Sequence, residues 1–228
     1  MPVFTAGHGY ARALAAGLGV PLYECSHQEG HIEAIQYYSE LKEVSPLICF
    51  HFSGGTTEAI LADENGCQLV GGTRDLAYGQ VLDRIGVALG LDFPAGAAMD
   101  QIAILPLETR DKKHRNPFTK VKVSEGYVNL SGIETQGQRM VGTVHQNQLI
   151  CDLFEALSRS VLDMTLQLSE KYKINNFIYA GGVSCSQYMR AYLTEELPGD
   201  LKICFGESRL SSDNAIGVAL LGGKNIWP

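Results

Sequence analysis

This sequence has no apolar run near the roughly 18 residues that a membrane-spanning helix needs. Its opening Met1-Pro2-Val3 begins no secretion signal, so the cytoplasm is the expected location. Paired cysteines are also lacking: the six Cys, at 25, 49, 67, 151, 185 and 204, form no Cys-x-x-Cys. That spacing argues against a structural zinc knot, and reduced thiols, mostly buried in strand-like surroundings, are expected instead. Charge is sparse, at 19% of residues, and the formal net value is −7. Such a balance argues against a chain that grips nucleic acid unaided, because phosphate contacts need grouped Lys and Arg. One basic knot breaks the pattern, Arg110-Asp111-Lys112-Lys113-His114-Arg115, which is either a solvated loop or a phosphate-facing one. No internal repeat or low-complexity tract is present.

What is there is a globular composition: 228 residues, 45% hydrophobic, 25 Gly. Ala- and Leu-rich spacing predicts a helix over Tyr10 to Leu18, a short strand over Pro21 to Cys25, and a helix from His27 to about Leu41. Leu47 to Phe52 and Thr57 to Ala62 read as strands of a hairpin around Ser53-Gly54-Gly55, with backbone N–H groups offered at its tip. An amphipathic helix follows over Gly79 to Leu89, then a loop at Pro94 and Gly96 and a strand-rich region over about Val121 to Leu130. A long helix is expected over Leu149 to Tyr172, and a strand over Asn176 to Ala180. Next come a helix from Ser186 to Leu197, a strand over Leu201 to Phe205 and a helix from Asn214. Strands alternating with helices in the last third point to an α/β architecture with partly parallel pairing.

The chemistry starts at His27-Gln28-Glu29-Gly30-His31. Histidines four apart share one helix face and can hold one divalent metal, given a third ligand from elsewhere. Glu29 is turned about 200° from His27, which places it badly as a base on metal-bound water and disfavours a protease. Three Gly-marked turns, Ser53-Gly54-Gly55-Thr56-Thr57, Phe93-Pro94-Ala95-Gly96 and Ala180-Gly181-Gly182-Val183, suit either a phosphate cradle or close packing of helix on strand. Asp213, in Ser211-Ser212-Asp213-Asn214, stands ahead of an apolar helix and reads equally well as its N-cap.

Taken together, these features resemble the glycoprotease-like family of tRNA threonylcarbamoyladenosine synthases. The resemblance runs from Ala11 to about Gly222. It is carried by the histidine pentapeptide after Leu14 to Pro21, by Ser53-Gly54-Gly55 with Thr57, and by Asp75-x-x-x-Gly79-x-x-x-Asp83. Gly90-Leu91-Asp92-Phe93-Pro94-x-Gly96, Ala180-Gly181-Gly182-Val183-Ser184 and Ser212-Asp213-Asn214 complete it. The resemblance implies an actin-like, sugar-kinase-like fold of two lobes around a nucleotide cleft. It implies that His27, His31 and Asp213 hold one iron or zinc ion. Phe52, Ser53, Gly54, Gly55, Thr56, Asp83, Gly96, Asp100 and Ser186 would line a site for ATP or an acyl-adenylate, with magnesium. The implied reaction moves a threonylcarbamoyl group from its adenylate to an adenosine of tRNA.

Several positions depart from the family pattern. Thr56 replaces a hairpin His, Leu76 and Gln80 replace acids at a helix entrance, Ala95 replaces a Gly, and Ser186 replaces an Asn. The chain also starts almost at the metal helix, where family members first have a strand with a Glu-Thr-Ser motif. The expected organisation is a first-lobe remnant over residues 1–45, a second lobe over 46–205, and a C-terminal loop and helix over 206–228 returning to the metal. A protein partner or second copy is expected to cover the incomplete lobe, and partner subunits to supply most of the tRNA surface. The alternative is a non-catalytic assembly partner of the same fold, with a metallopeptidase least favoured.

Overall fold

A computed structural model describes residues 2–105, 114–211 and 215–226. One six-stranded sheet organises them, in the order β4-β3-β2-β1-β5-β6. The strands are β1 (Leu47–Phe52), β2 (Thr57–Asp63), β3 (Gly66–Thr73), β4 (Tyr127–Val128), β5 (Asn176–Ala180) and β6 (Lys202–Phe205). The first three form an antiparallel meander, whereas β5 and β6 run parallel to β1. The parallel half arises because helices intervene between those strands.

The alternating residues of β1 separate two cores. Ile48, Phe50 and Phe52 face the larger one, under α3 (Tyr78–Ala88), α4 (Gly96–Ile104), α5 (Ser131–Met140), α6 (Gln146–Tyr172) and α7 (Gln187–Glu196). There an aromatic stack runs Phe52, Phe50, Tyr179, Phe205, with ring centroids 5.0–5.4 Å apart. Leu47 and Cys49 face the smaller core, with Ile60 and Ile178, under α2 (His27–Tyr37) and Leu210 of the short α8 (Ser208–Ser211). Residues 1–45 supply this second face with α2, preceded by an exposed α1 (Pro2–Leu18). From residue 206 onward the chain supplies α8 and α9 (Ile216–Ile226), and both pack on α2.

The structure corrects several expectations. Pro21 to Cys25 is not a strand, since it is solvent-exposed and pairs with no strand among the described residues. The histidine helix stops at Tyr37, not Leu41, and the strand-rich region shrinks to the two-residue strand Tyr127–Val128 and a bridge between Ser124 and Tyr127. The segment after Pro94 is the start of α4, so its loop is shorter than expected. None of the six cysteines forms a disulfide, but Cys25 and Cys67 are exposed rather than buried. No helix among the described residues is long and apolar enough to cross a membrane.

Candidate functional site

The histidine pair stands at the first turn of α2, where a capping box sets the register. The Ser26 hydroxyl accepts from the Glu29 amide at 3.2 Å, and the Glu29 carboxylate accepts from the Ser26 amide at 2.5 Å. Glu29 is thereby committed to starting the helix. His27 and His31 then meet with their Nε2 atoms 3.2 Å apart. Two nitrogens bound to one tetrahedral zinc at 2.0–2.1 Å would lie about 3.3 Å apart, so the pair fits a shared ion. Among the described residues no three His, Cys, Asp or Glu side chains are gathered closely enough to hold one. The expected third ligand, Asp213, lies outside the described residues.

Gly30 sits between the histidines because α9 crosses there. A Cβ on Gly217 would come 1.7 Å from the Gly30 carbonyl, so only glycine permits this approach. Lys224 of α9 then reaches the buried Glu33 at 2.7 Å. Positions 212–214 thus connect two elements, α8 and α9, that both pack on the histidine helix.

A third imidazole that sequence reasoning missed lies against the pair. His51 on β1 stacks on His31 with ring centroids 5.0 Å apart, and its Nδ1 is 3.4 Å from the Thr56 hydroxyl. The signal was there: His51 shares the parity of Leu47 and Cys49, two residues before Ser53. It becomes meaningful only once α2 is known to cover that sheet face.

Thr56 belongs to the β1–β2 hairpin, formed as expected, with the Ser53 amide donating to the Thr56 carbonyl at 2.9 Å. Its tip is less open to an anion than the sequence implied. The Ser53 hydroxyl accepts from both the Gly55 and Thr56 amides, at 3.2 and 2.9 Å, and also contacts the Thr56 hydroxyl at 2.9 Å. Thr57 accepts from the Tyr78 amide at 3.2 Å and ties the hairpin to the start of α3. Gly79 allows that contact, since a Cβ there would lie 2.6 Å from Gly54 Cα.

Beside the hairpin is a cavity of about 410 Å³, lined in part by Gly54, Asp83, Gly96, Asp100 and Ser186. Five of the nine expected nucleotide-site residues are therefore gathered. Ser53, Gly55 and Thr56 shape the adjoining hairpin, and the Phe52 ring lies in the aromatic core. Asp83 accepts from the Ala95 amide at 2.8 Å, holding the turn into α4. Asp100 accepts from the Ser186 hydroxyl and from the Gln187 and Tyr188 amides, at 2.6, 2.8 and 3.1 Å. Ser186 in turn caps α7 by accepting from the Met189 amide at 3.0 Å.

The other departures also have structural work. Gln80 accepts from the Ala77 amide at 3.0 Å, Leu76 packs on the larger core, and Ala95 is buried against Gly86. Asp75 binds the Leu130 and Ser131 amides at 2.8 and 3.1 Å and so anchors α5. Partial burial opposes its ionisation, but these amides, with that of Leu76 and the Ser131 hydroxyl, outweigh it and hold the carboxyl below its ordinary range. Of the basic knot, residues 110–113 lie outside the described residues, and His114 contacts the buried Asp152 at 2.8 Å.

The family model described as tRNA N6-adenosine threonylcarbamoyltransferase matches residues 4–220. A protein of that name from Streptococcus thermophilus is 32% identical over 226 residues, covering 94% of this chain and 64% of its own. One from Streptococcus pneumoniae is 31% identical over 230 residues, covering 97% and 66%. The chain thus spans about two thirds, or slightly less, of the length of these curated relatives. Among solved structures, HypF of T. kodakarensis superposes with a TM-score of 0.74 at 12% identity, covering 96% of this chain and 39% of that one. Component A of the Acidaminococcus fermentans (R)-2-hydroxyglutaryl-CoA dehydratase gives 0.56 at 15%, covering 91% and 71%. These likenesses agree with the expected actin-like, sugar-kinase-like fold.

Proposed function

This chain belongs to the tRNA N6-adenosine threonylcarbamoyltransferase family, and from that premise we propose that it transfers a threonylcarbamoyl group from its adenylate to an adenosine of tRNA. The observation that carries this reading is the adjacency of two half-sites. From His27 and His31, a path through His51 and Thr56 reaches the hairpin whose Gly54 lines the cavity. At about 410 Å³ the cavity falls within the roughly 300–1,000 Å³ of small-molecule sites, room for an adenylate, with or without magnesium.

In this reading Asp83, Gly96, Asp100 and Ser186 form the cavity wall that orients the adenylate, so that its acyl end points past the hairpin to the histidines. His27, His31 and Asp213 would hold one divalent iron or zinc ion, which supplies Lewis-acid polarisation of a substrate oxygen when bound. The net charge of −7 leaves most of the tRNA to partner subunits. Tyr10, Leu14 and Leu18 form an exposed apolar stripe on α1, suited to a protein partner or a second copy in the cytoplasm.

The non-catalytic reading is favoured by one observation: Asp100 spends its carboxylate on three bonds within the fold. Nucleoside mass spectrometry of tRNA incubated with the zinc-loaded chain and threonylcarbamoyl adenylate separates the two. The modified adenosine supports transfer, and adenylate binding without product supports an assembly role.

A further inference from the structure

Gln101 and Gln187 stand one residue beyond the two partners of the Asp100–Ser186 bond, on α4 and at the start of α7. We propose that these two glutamines read the base of the adenylate, pairing with the 6-amino group of adenine and a ring nitrogen beside it. The assignment rests on the adenylate reading above and names what selects the base.

Three observations converge. The first is position. The Asp100 carboxylate accepts from the Ser186 hydroxyl at 2.6 Å and from the Gln187 amide at 2.8 Å. That clamp fixes α4 against α7, and both Gln101 and Gln187 line the cavity of about 410 Å³.

The second is availability. Asp83, Asp100 and Ser186 on the same wall are each bonded within the fold. Gln101 and Gln187 are exposed, and among the described residues neither carboxamide makes a hydrogen bond. A carboxamide sets a donor beside an acceptor, which matches the amino group and ring nitrogen on the edge of adenine.

The third is charge. The first amides of a helix are where an anion is held. On α7 that place is filled, because Asp100 accepts from the Gln187 and Tyr188 amides at 2.8 and 3.1 Å. A phosphate would be repelled by this carboxylate, so this end of the cavity takes the uncharged base. Leu82 and Phe154 add apolar lining that suits a flat ring.

Calorimetric titration of AMP and of purine riboside 5′-phosphate, which lacks the 6-amino group, tests this. The proteins compared are wild type, Gln101→Leu, Gln187→Leu and the double variant. Leucine keeps most of the bulk and removes the carboxamide at exposed positions, so melting temperatures should stay near wild type. Wild type should bind AMP roughly tenfold more tightly than the riboside phosphate, and the double variant should bind the two alike. Each single variant should lie between them, and one that keeps the full preference removes its glutamine from the assignment. If the double variant keeps the wild-type preference, or wild type has none, the glutamines do not read the base and this inference falls alone. If wild type binds neither nucleotide, the adenylate reading falls with it.

Discussion

The Ser186 hydroxyl donates to Asp100 at 2.6 Å, joining the first residue before α7 to the middle of α4 across 86 positions of sequence. One carboxylate therefore closes the cavity wall and caps a helix. Removing the Ser186 hydroxyl costs its bond to Asp100 and the one it accepts from the Met189 amide.

Ser186→Ala should lower stability by about 1–2 kcal/mol, the usual cost of losing an N-cap, read from the urea midpoint. Ser186→Asn, which can still cap, should recover most of it. Equal losses in the two variants would show that capping is not what Ser186 contributes.

Gly79→Ala would set a Cβ 2.6 Å from Gly54 Cα, against backbone that cannot swing away. The hairpin should shift, with about 1–3 kcal/mol of destabilisation and weaker nucleotide binding by calorimetry. Unchanged affinity for AMP would detach the hairpin from the cavity's function.

Gly217→Ala places a Cβ still closer, 1.7 Å from the Gly30 carbonyl. It should push α9 off α2 and weaken zinc binding, although it touches no proposed ligand. Amide hydrogen exchange should rise along both helices, and unaltered protection would contradict the close crossing.

Asp75 carries a pH signature. Its folded carboxyl ionises below the ordinary 3.8, so its stabilising effect is present well above that value and is lost as pH falls through the lower folded value. Asp75→Asn should therefore be less stable than wild type at neutral pH, and the gap should shrink below about pH 4. A gap that persists at pH 2 would show that the charge is not what anchors α5.

Much of this could be read from the chain alone, and the gaps have physical causes. Apolar periodicity located β1, β2, β5, α3, α6 and α7. β3 was missed because Gly66, Gly71 and Gly72 interrupt it and its first half is exposed, leaving no clean alternation. α5 was missed because only Ile133 and Gly137 of its ten residues are buried. The histidine pair and the hairpin were legible as local patterns. His51 and the Asp100–Ser186 bond were not, because each depends on which helix the sheet brings close.

The most direct test of the account is calorimetric titration of a non-hydrolysable threonylcarbamoyl adenylate analogue into the zinc-loaded protein. Wild type is compared with His31→Ala on the metal side and Gly96→Phe in the cavity wall. The account predicts one site in wild type, weakened at least roughly tenfold by either change, because both half-sites hold the same ligand. Binding that neither substitution alters, or no binding by wild type, would contradict it.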